Sequence, residues 1–273
     1  MEHSGTAYTG RSSLTVRIAG GGFSFSLYDP ASEEGFRFQP YEINPTVSIV
    51  ANVKEAMRNE AVLKDTYHKV NFLFTGETVL LPSEFFNEED YPHYFRFQYP
   101  ALDNYEVEYN RLSHTGNVLL FPVERGLKKL LVDEYPNVAF YSVLSSITEH
   151  FCGLSRFGNN RKLYLYFYDG KLCAEVFDKG RLKFMNEFRW DSEVSNVLYY
   201  VTCIWKACQL DVEEDRLYVA GDVGGAKSSL LEQLRRFYRN VCCINPAAEF
   251  NEASVSRGED VPYDVQSLLV YGI

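Results

Sequence analysis

Strand-like runs of apolar residues open this chain, at 14–18 and 23–28, before any helical spacing is seen. Ala19, Gly20, Gly21 and Gly22 lie between the two runs. Glycine permits positive φ and close backbone approach, so this segment reads as a tight turn or a small ligand cradle. A third strand, 36–43, follows the turn residues Asp29 and Pro30. Asn44-Pro45-Thr46 reads as a helix start, and Val50, Val53 and Met57 place an apolar stripe on the segment behind it. A strand at 70–75 comes next.

The middle of the chain is less regular. Residues 77–115 carry Pro82, Pro92 and Pro100, with strand-like pieces at 78–81 and 105–112, and read as an insertion or subsidiary sheet. Regular pattern returns at 118–121, where Pro122 reads as the start of a helix carrying Val123, Leu127, Leu130 and Leu131. A short strand at 138–141, a helix over 142–151 and a linker over 153–161 complete the first half.

The second half is sharper. Strands at 163–168 and 172–177 flank Asp169-Gly170, a strong hairpin signal, and 182–188 is a third strand. Asp191 or Ser192 can cap a helix whose apolar positions are Val194, Val197, Leu198, Val201, Ile204, Trp205 and Cys208. Then come a strand at 217–220, the glycine loop 221–225, and a helix bearing Leu230, Leu231, Leu234 and Phe237. A strand at 241–244 and a helix over 262–270 end the chain.

Both halves therefore share one order: three meandering strands, helix, strand, helix. That order predicts α/β units with sheets that begin antiparallel and continue parallel. The first unit spans residues 1–155, with an insertion at about 77–117, and the second spans 156–273. The tandem pair resembles the actin-like ATPase superfamily of actin, sugar kinases and heat-shock chaperones, in which each half is ribonuclease H-like and ATP lies between them. Residues 217–225, a strand running into Gly221, Gly224 and Gly225, look like the family's late strand and adenosine-contacting turn. Residues 122–146 look like the end of the first unit in pilus- and secretion-assembly members. The resemblance is nearest to an uncharacterised bacterial family with an actin-like ATPase fold. It implies a nucleotide cleft contacted by Gly20, Gly21 and Gly22 from one half and Gly221, Gly224 and Gly225 from the other.

Active members of that superfamily place an Asp at the end of the first strand of each half, two residues before a glycine, to organise magnesium and phosphate. Here Ala19 occupies the first of those places. In the second half Asp169 lies in the hairpin Tyr168-Asp169-Gly170-Lys171, where a turn role suits it better than a metal-ligand role. A two-residue turn frees few backbone N–H groups for phosphate. No cofactor is expected on these grounds, ATP with magnesium being the one that the resemblance allows.

Residues 221–228 also come within one residue of the phosphate-loop pattern GxxxxGK[ST]. Ala226 replaces the glycine before Lys227, and only about 45 residues remain for the parallel strands and acidic metal ligand of such an enzyme. A glycine turn with a surface Lys227 and a cap at Ser228 or Ser229 is the competing reading. A metal-dependent nuclease of the ribonuclease H type needs converging carboxylates. Asp29, Asp169, Asp178 and Glu187 are available, but their positions suit solvated charges. His3, His68, His93, His114 and His150 show no ligand-like spacing.

Composition narrows the partners. The net charge of -10 argues against nucleic acid, which requires clustered Lys and Arg, and the Arg235, Arg236 and Arg239 cluster reads as a solvated helix face. No apolar run reaches the roughly 18 residues of a membrane span, and the polar N-terminus lacks a signal-peptide core. Six cysteines without a CxxC pair read as reduced core thiols, which places the chain in the cytoplasm. Tyr91, Tyr94, Phe95, Phe97, Tyr99 and Tyr105 gather around Arg96 in the insertion, as a satellite core or a protein-docking surface. The leading expectation is a non-catalytic protein that binds a protein partner or itself. A divergent ATP-binding protein is the first alternative and a metal-dependent nuclease the second.

Overall fold

The computed structural model describes residues 12–32, 35–250, 253–256, 258 and 260–273. His3 and the polar segment 1–11 lie outside the described residues. The chain divides into two compact units. One comprises Met1–Asn110, Val118–Val143 and Ser254–Val261; the other comprises Arg111–Asn117, Leu144–Ala253 and Pro262–Ile273.

The first unit opens with β1 (Ser13–Ala19), β2 (Gly22–Tyr28) and β3 (Phe36–Glu42), a meander as expected. Helix α1 (Ile49–Asn59) begins later than Asn44-Pro45-Thr46 suggested, because Ser48 is the cap and accepts from the Ala51 amide. Asn44 instead folds its side chain onto the Thr46 amide in a turn of its own. Strand β4 (Lys69–Phe74) follows, then β5 (Val79–Pro82) and helix α2 (Tyr91–Gln98). Pro92, which the sequence presents as a breaker, sits in the first turn of α2, where a missing N–H costs nothing.

Strands β6 (Tyr105–Leu112) and β7 (Asn117–Glu124) come next, and β5-β7-β6 form a small sheet. Pro122 does not start a helix. Strand β7 runs through it and through Val123, and helix α3 (Arg125–Glu134) begins only at Arg125. Glu124 caps α3 through both carboxylate oxygens, to the Gly126 amide at 3.1 Å and the Leu127 amide at 2.9 Å. Strand β8 (Val138–Ser142) completes a sheet of order β3-β2-β1-β4-β8. Its β1–β2 and β2–β3 pairs are antiparallel, and its β1–β4 and β4–β8 pairs are parallel.

Alternation on these strands separates two faces. Leu14, Val16, Ile18, Phe23, Phe25, Leu27, Val70, Phe72 and Phe74 form one buried cluster with Val53 and Ala56 of α1 and Leu127 and Leu131 of α3. Each such fully buried large side chain contributes roughly 1.5–3 kcal/mol by leaving water. Thr15 and Asn71 fall on the opposite parity and bond each other at 3.1 Å.

Helix α4 (Val143–Ser155) leads to β9 (Lys162–Tyr168), β10 (Lys171–Asp178) and β11 (Arg181–Arg189) of the second unit. Asp169 (φ 43°) and Gly170 (φ 70°) make the β9–β10 turn, the positive pair that a two-residue hairpin of this hand requires. Then follow α5 (Val194–Ala207), β12 (Arg216–Gly221), α6 (Lys227–Phe237), β13 (Val241–Cys243), the short α7 (Pro246–Glu249) and α8 (Tyr263–Tyr271).

The second sheet is ordered β11-β10-β9-β12-β13, the same topology as the first. Leu163, Leu165, Phe167, Leu172, Ala174 and Val176 pack with Val197, Val201, Ile204 and Trp205 of α5 and Leu230 and Leu234 of α6. The other parity of β9 and β10 is polar and aromatic: Tyr164, Tyr166, Cys173, Glu175 and Phe177, all buried. Helices α4 and α8 join on that side. Ser146 donates to the Asp264 carbonyl at 3.2 Å, and Tyr166 donates to the Asp264 carboxylate at 2.7 Å.

Candidate functional site

The two glycine turns singled out from sequence differ in why they hold glycine. In the first unit Ala19 pairs with Gly22, so β1 and β2 close through a two-residue turn at Gly20 and Gly21. Neither takes a positive φ, and a Cβ on either would meet nothing within 4 Å. Gly22 is a strand residue whose Cβ would come 3.1 Å from the Tyr41 carbonyl oxygen.

In the second unit Gly221 ends β12 at φ +82°. A Cβ there would fall 2.1 Å from the Phe167 carbonyl oxygen, so close packing against β9 demands glycine. Gly224 also needs its left-handed φ of +65°, whereas Gly225 faces open space. Two amides of this loop are engaged within the protein. The Asp222 amide donates to Phe167 at 2.9 Å, and the Gly224 amide donates to the Asp222 carboxylate at 2.9 Å.

Glu187 accepts from the Tyr168 hydroxyl and lies 3.6 Å from Lys171 Nζ. Among the described residues no three His, Cys, Asp or Glu side chains are grouped so as to hold a metal ion. All six cysteines are free; Cys152 and Cys173 are buried, while Cys203 and Cys242 are exposed. The aromatic group of the insertion divides likewise. Tyr91, Phe95 and Tyr99 join Val107, Val118 and Leu120 in a satellite core, and Phe97 stands 92% exposed.

Sequence spacing missed a denser group on α4. Glu149 accepts from the His114 amide at 2.9 Å, from His114 Nδ1 at 2.5 Å and from the Thr115 amide at 3.3 Å. One helix carboxylate thus holds the β6–β7 turn. The next residue, His150, pairs through Nε2 with Glu249 of α7 and stacks on Tyr271 with ring centroids 4.7 Å apart. Tyr263 donates to the same Glu249 at 2.9 Å. His114, Glu149, His150 and Tyr271 line a cavity of about 450 Å³ that also meets Leu154, Arg156 and Phe157. His114 and Glu149 are 35 residues apart, a separation that no short motif encodes. Glu149→Ala strips three donors of their acceptor, so unfolding in urea is expected to show a loss of roughly 1–3 kcal/mol. An unchanged midpoint would show that the turn does not depend on this carboxylate.

The residue before Glu149, Thr148, donates to Glu175 Oε1 at 2.8 Å, and among the described residues Oε2 of that fully buried carboxyl has no partner. Burial pushes the Glu175 pKa up to about 8, partly offset by the hydrogen bonds from Thr148 and Cys173. The neighbouring Cys173 thiol is raised as well, first by burial and then by Glu175.

Comparison with known proteins places this architecture. Residues 4–241 match a family described as "Protein of unknown function (DUF3822)". The chain belongs to that family. A crystal structure from Bacteroides thetaiotaomicron VPI-5482, described as a protein with actin-like ATPase fold and unknown function, is 27% identical to this DUF3822 chain. It aligns over 96% of both chains with a TM-score of 0.81. The structure of a PilM–PilN type IV pilus biogenesis complex aligns over 94% of this chain and 97% of that one, at 12% identity and a TM-score of 0.53. No curated protein matches the DUF3822 chain. Its fold is the actin-like ATPase fold, as the doubled strand order implied. Among the described residues no helix is long and apolar enough to cross a membrane.

Proposed function

We propose that this DUF3822 chain is a non-catalytic protein of the actin-like ATPase fold that works by binding another protein. The observation that carries the reading is the state of its phosphate turns. Each first-strand turn closes after two residues, between Ala19 and Gly22 and between Tyr168 and Lys171. Such closure leaves few amides to cradle phosphate, and Ala19 has no carboxylate for magnesium. In the late loop the Asp222 carboxylate already takes the Gly224 amide, placing negative charge beside a group that a phosphate would otherwise use.

Protein binding is supported by the similar architecture of the PilM–PilN complex. The exposed Phe85, Tyr94 and Phe97 add apolar area that contact with a partner would bury. Calorimetric titration of the full chain with ATP and magnesium is expected to give no heat of binding. A micromolar dissociation constant would overturn the reading.

The second reading, a divergent ATP-binding protein, has one observation in its favour. Gly20, Gly21 and Gly225 are required by no contact within the protein, which leaves room for a ligand to approach backbone. On that reading Gly225→Trp abolishes nucleotide binding and leaves the thermal midpoint in place; binding retained by the variant would refute it.

A further inference from the structure

Helix α2 needs only one of its sides for the fold of the first unit. Phe95 is buried among Val107, Val118 and Leu120, and the Tyr91 hydroxyl donates to the Val107 carbonyl at 3.1 Å. Tyr94 and Phe97, three residues apart and so neighbours on the helix surface, are 43% and 92% exposed. Phe97 is the most exposed large apolar side chain among the described residues. Phe85, at the end of a single 3-10 turn (Ser83–Phe85), adds a third ring at 59% exposure. Its neighbour Phe86 stacks on Tyr91 with centroids 5.5 Å apart, which brings that turn against the start of α2. On the reading of this chain as a protein that binds a partner, we propose that the face formed by residues 83–98 docks a basic segment of that partner, one that interleaves Lys or Arg with large apolar side chains.

The charge of the partner follows from what surrounds the rings. Glu84, Glu88, Glu89 and Asp90 are all exposed, against Arg96 and His93 in the same stretch. Lys128 of α3, whose charge reaches Tyr91, is already held by Glu106 at 2.6 Å and Glu108 at 2.5 Å. The acidic stretch is fixed in place. The Glu89 amide donates to Asn87 Oδ1 at 3.0 Å, Asn87 Nδ2 donates to Asp90 Oδ2 at 3.3 Å, and Tyr109 donates to Glu88 Oε1 at 3.3 Å. A surface already ordered spares a binder the entropy of ordering it. Complementary charge steers the encounter, and burial of the exposed rings supplies the affinity. Nucleic acid and anionic membranes are repelled by the same negative field.

The test uses the full chain and a fluorescently labelled amphipathic peptide of Leu and Lys, read by anisotropy at about 0.15 M salt. The peptide is expected to bind saturably at one site per chain. A Ser and Lys peptide of equal charge should bind at least about tenfold more weakly, because it lacks the apolar contacts, and a Leu and Glu peptide should not bind. Phe85→Ser with Phe97→Ser should weaken the Leu and Lys peptide at least about tenfold, and Glu84→Lys with Glu89→Lys should do the same. Phe237→Ser removes an exposed ring from α6 and should leave binding unchanged. All five positions are exposed, and circular-dichroism melts confirm that each variant folds. Absence of a saturable site, equal binding of the two Lys peptides, an affinity that survives either paired substitution, or an equal loss with Phe237→Ser would each overturn the assignment. Titration with ATP and magnesium separates this surface from the reading it rests on: nucleotide binding overturns the non-catalytic reading, whereas a silent titration without peptide binding overturns the surface alone.

Discussion

Glu175→Gln is expected to stabilise the second unit by on the order of 5 kcal/mol at pH 9 and by almost nothing at pH 4. Glu175 lies on β10, next to the central strand β9, and is fully buried. Among the described residues its donors are the Thr148 hydroxyl and the Cys173 thiol, both on Oε1, and burial holds its pKa at about 8 against an ordinary 4.5. Below 4.5 the carboxyl is protonated in the folded and unfolded chains alike, so stability is fully present. Between 4.5 and 8 the folded chain keeps a proton that the unfolded chain has released, and stability falls by about 1.4 kcal/mol per pH unit. Above 8 both states are ionised and the loss is complete. Gln has the same shape and no ionisation, so its advantage should grow through that window. Both tryptophans, Trp190 and Trp205, belong to the second unit, and their fluorescence in urea series reads that unit alone. Parallel stability profiles for the two proteins from pH 5 to 9 would dispose of the idea.

The same residue illustrates what can be read from the chain. Strand β10 is recognisable because Leu172, Ala174 and Val176 alternate with other types, and Asp169-Gly170 fixes the turn before it. Nothing local indicates that the alternate face is also buried, under α4, because that depends on which helix returns to cover it. A charged residue at Glu175 therefore reads as an exposed position. The doubled strand order was legible for a similar reason: hairpin turns and helical stripes are local signals that each unit repeats.

Helix starts were less legible where the cap is unusual. Glu124 is not among the preferred capping residues, yet its carboxylate spans two amides and delays α3 past Pro122. Pro92 was ambiguous in principle, since proline breaks a helix from inside and begins one from its first turn. The His114–Glu149 pair could not be found from spacing at all, because chain folding alone brings a hairpin tip against α4. Candidate nucleotide residues were named by glycine content, and glycine content does not distinguish a ligand-facing amide from a tightly packed one.

Gly221→Ala separates those two cases and should destabilise the second unit by about 3 kcal/mol or more. Gly221 pairs with Phe167 across the parallel β9–β12 contact, with φ at +82°. A methyl group there would meet the Phe167 carbonyl oxygen at 2.1 Å and the Tyr166 ring at 2.8 Å, and neither can retreat. The carbonyl belongs to the central strand, where it also accepts the Asp222 amide, and the Tyr166 ring is stacked on Tyr168 and tied to Asp264. Relief requires β12 to move from β9, which breaks the bond that starts the following loop. Gly225→Ala has neither problem: its φ is ordinary and its Cβ meets open space, so the change should lie within about 0.5 kcal/mol of neutral. Tryptophan fluorescence in urea measures both. If Gly221→Ala proved as mild as Gly225→Ala, packing could not account for the glycine, and a ligand approaching its backbone would become the better explanation. A large loss at Gly221 alone assigns it to the β9–β12 contact and removes it from the set of residues reserved for a nucleotide.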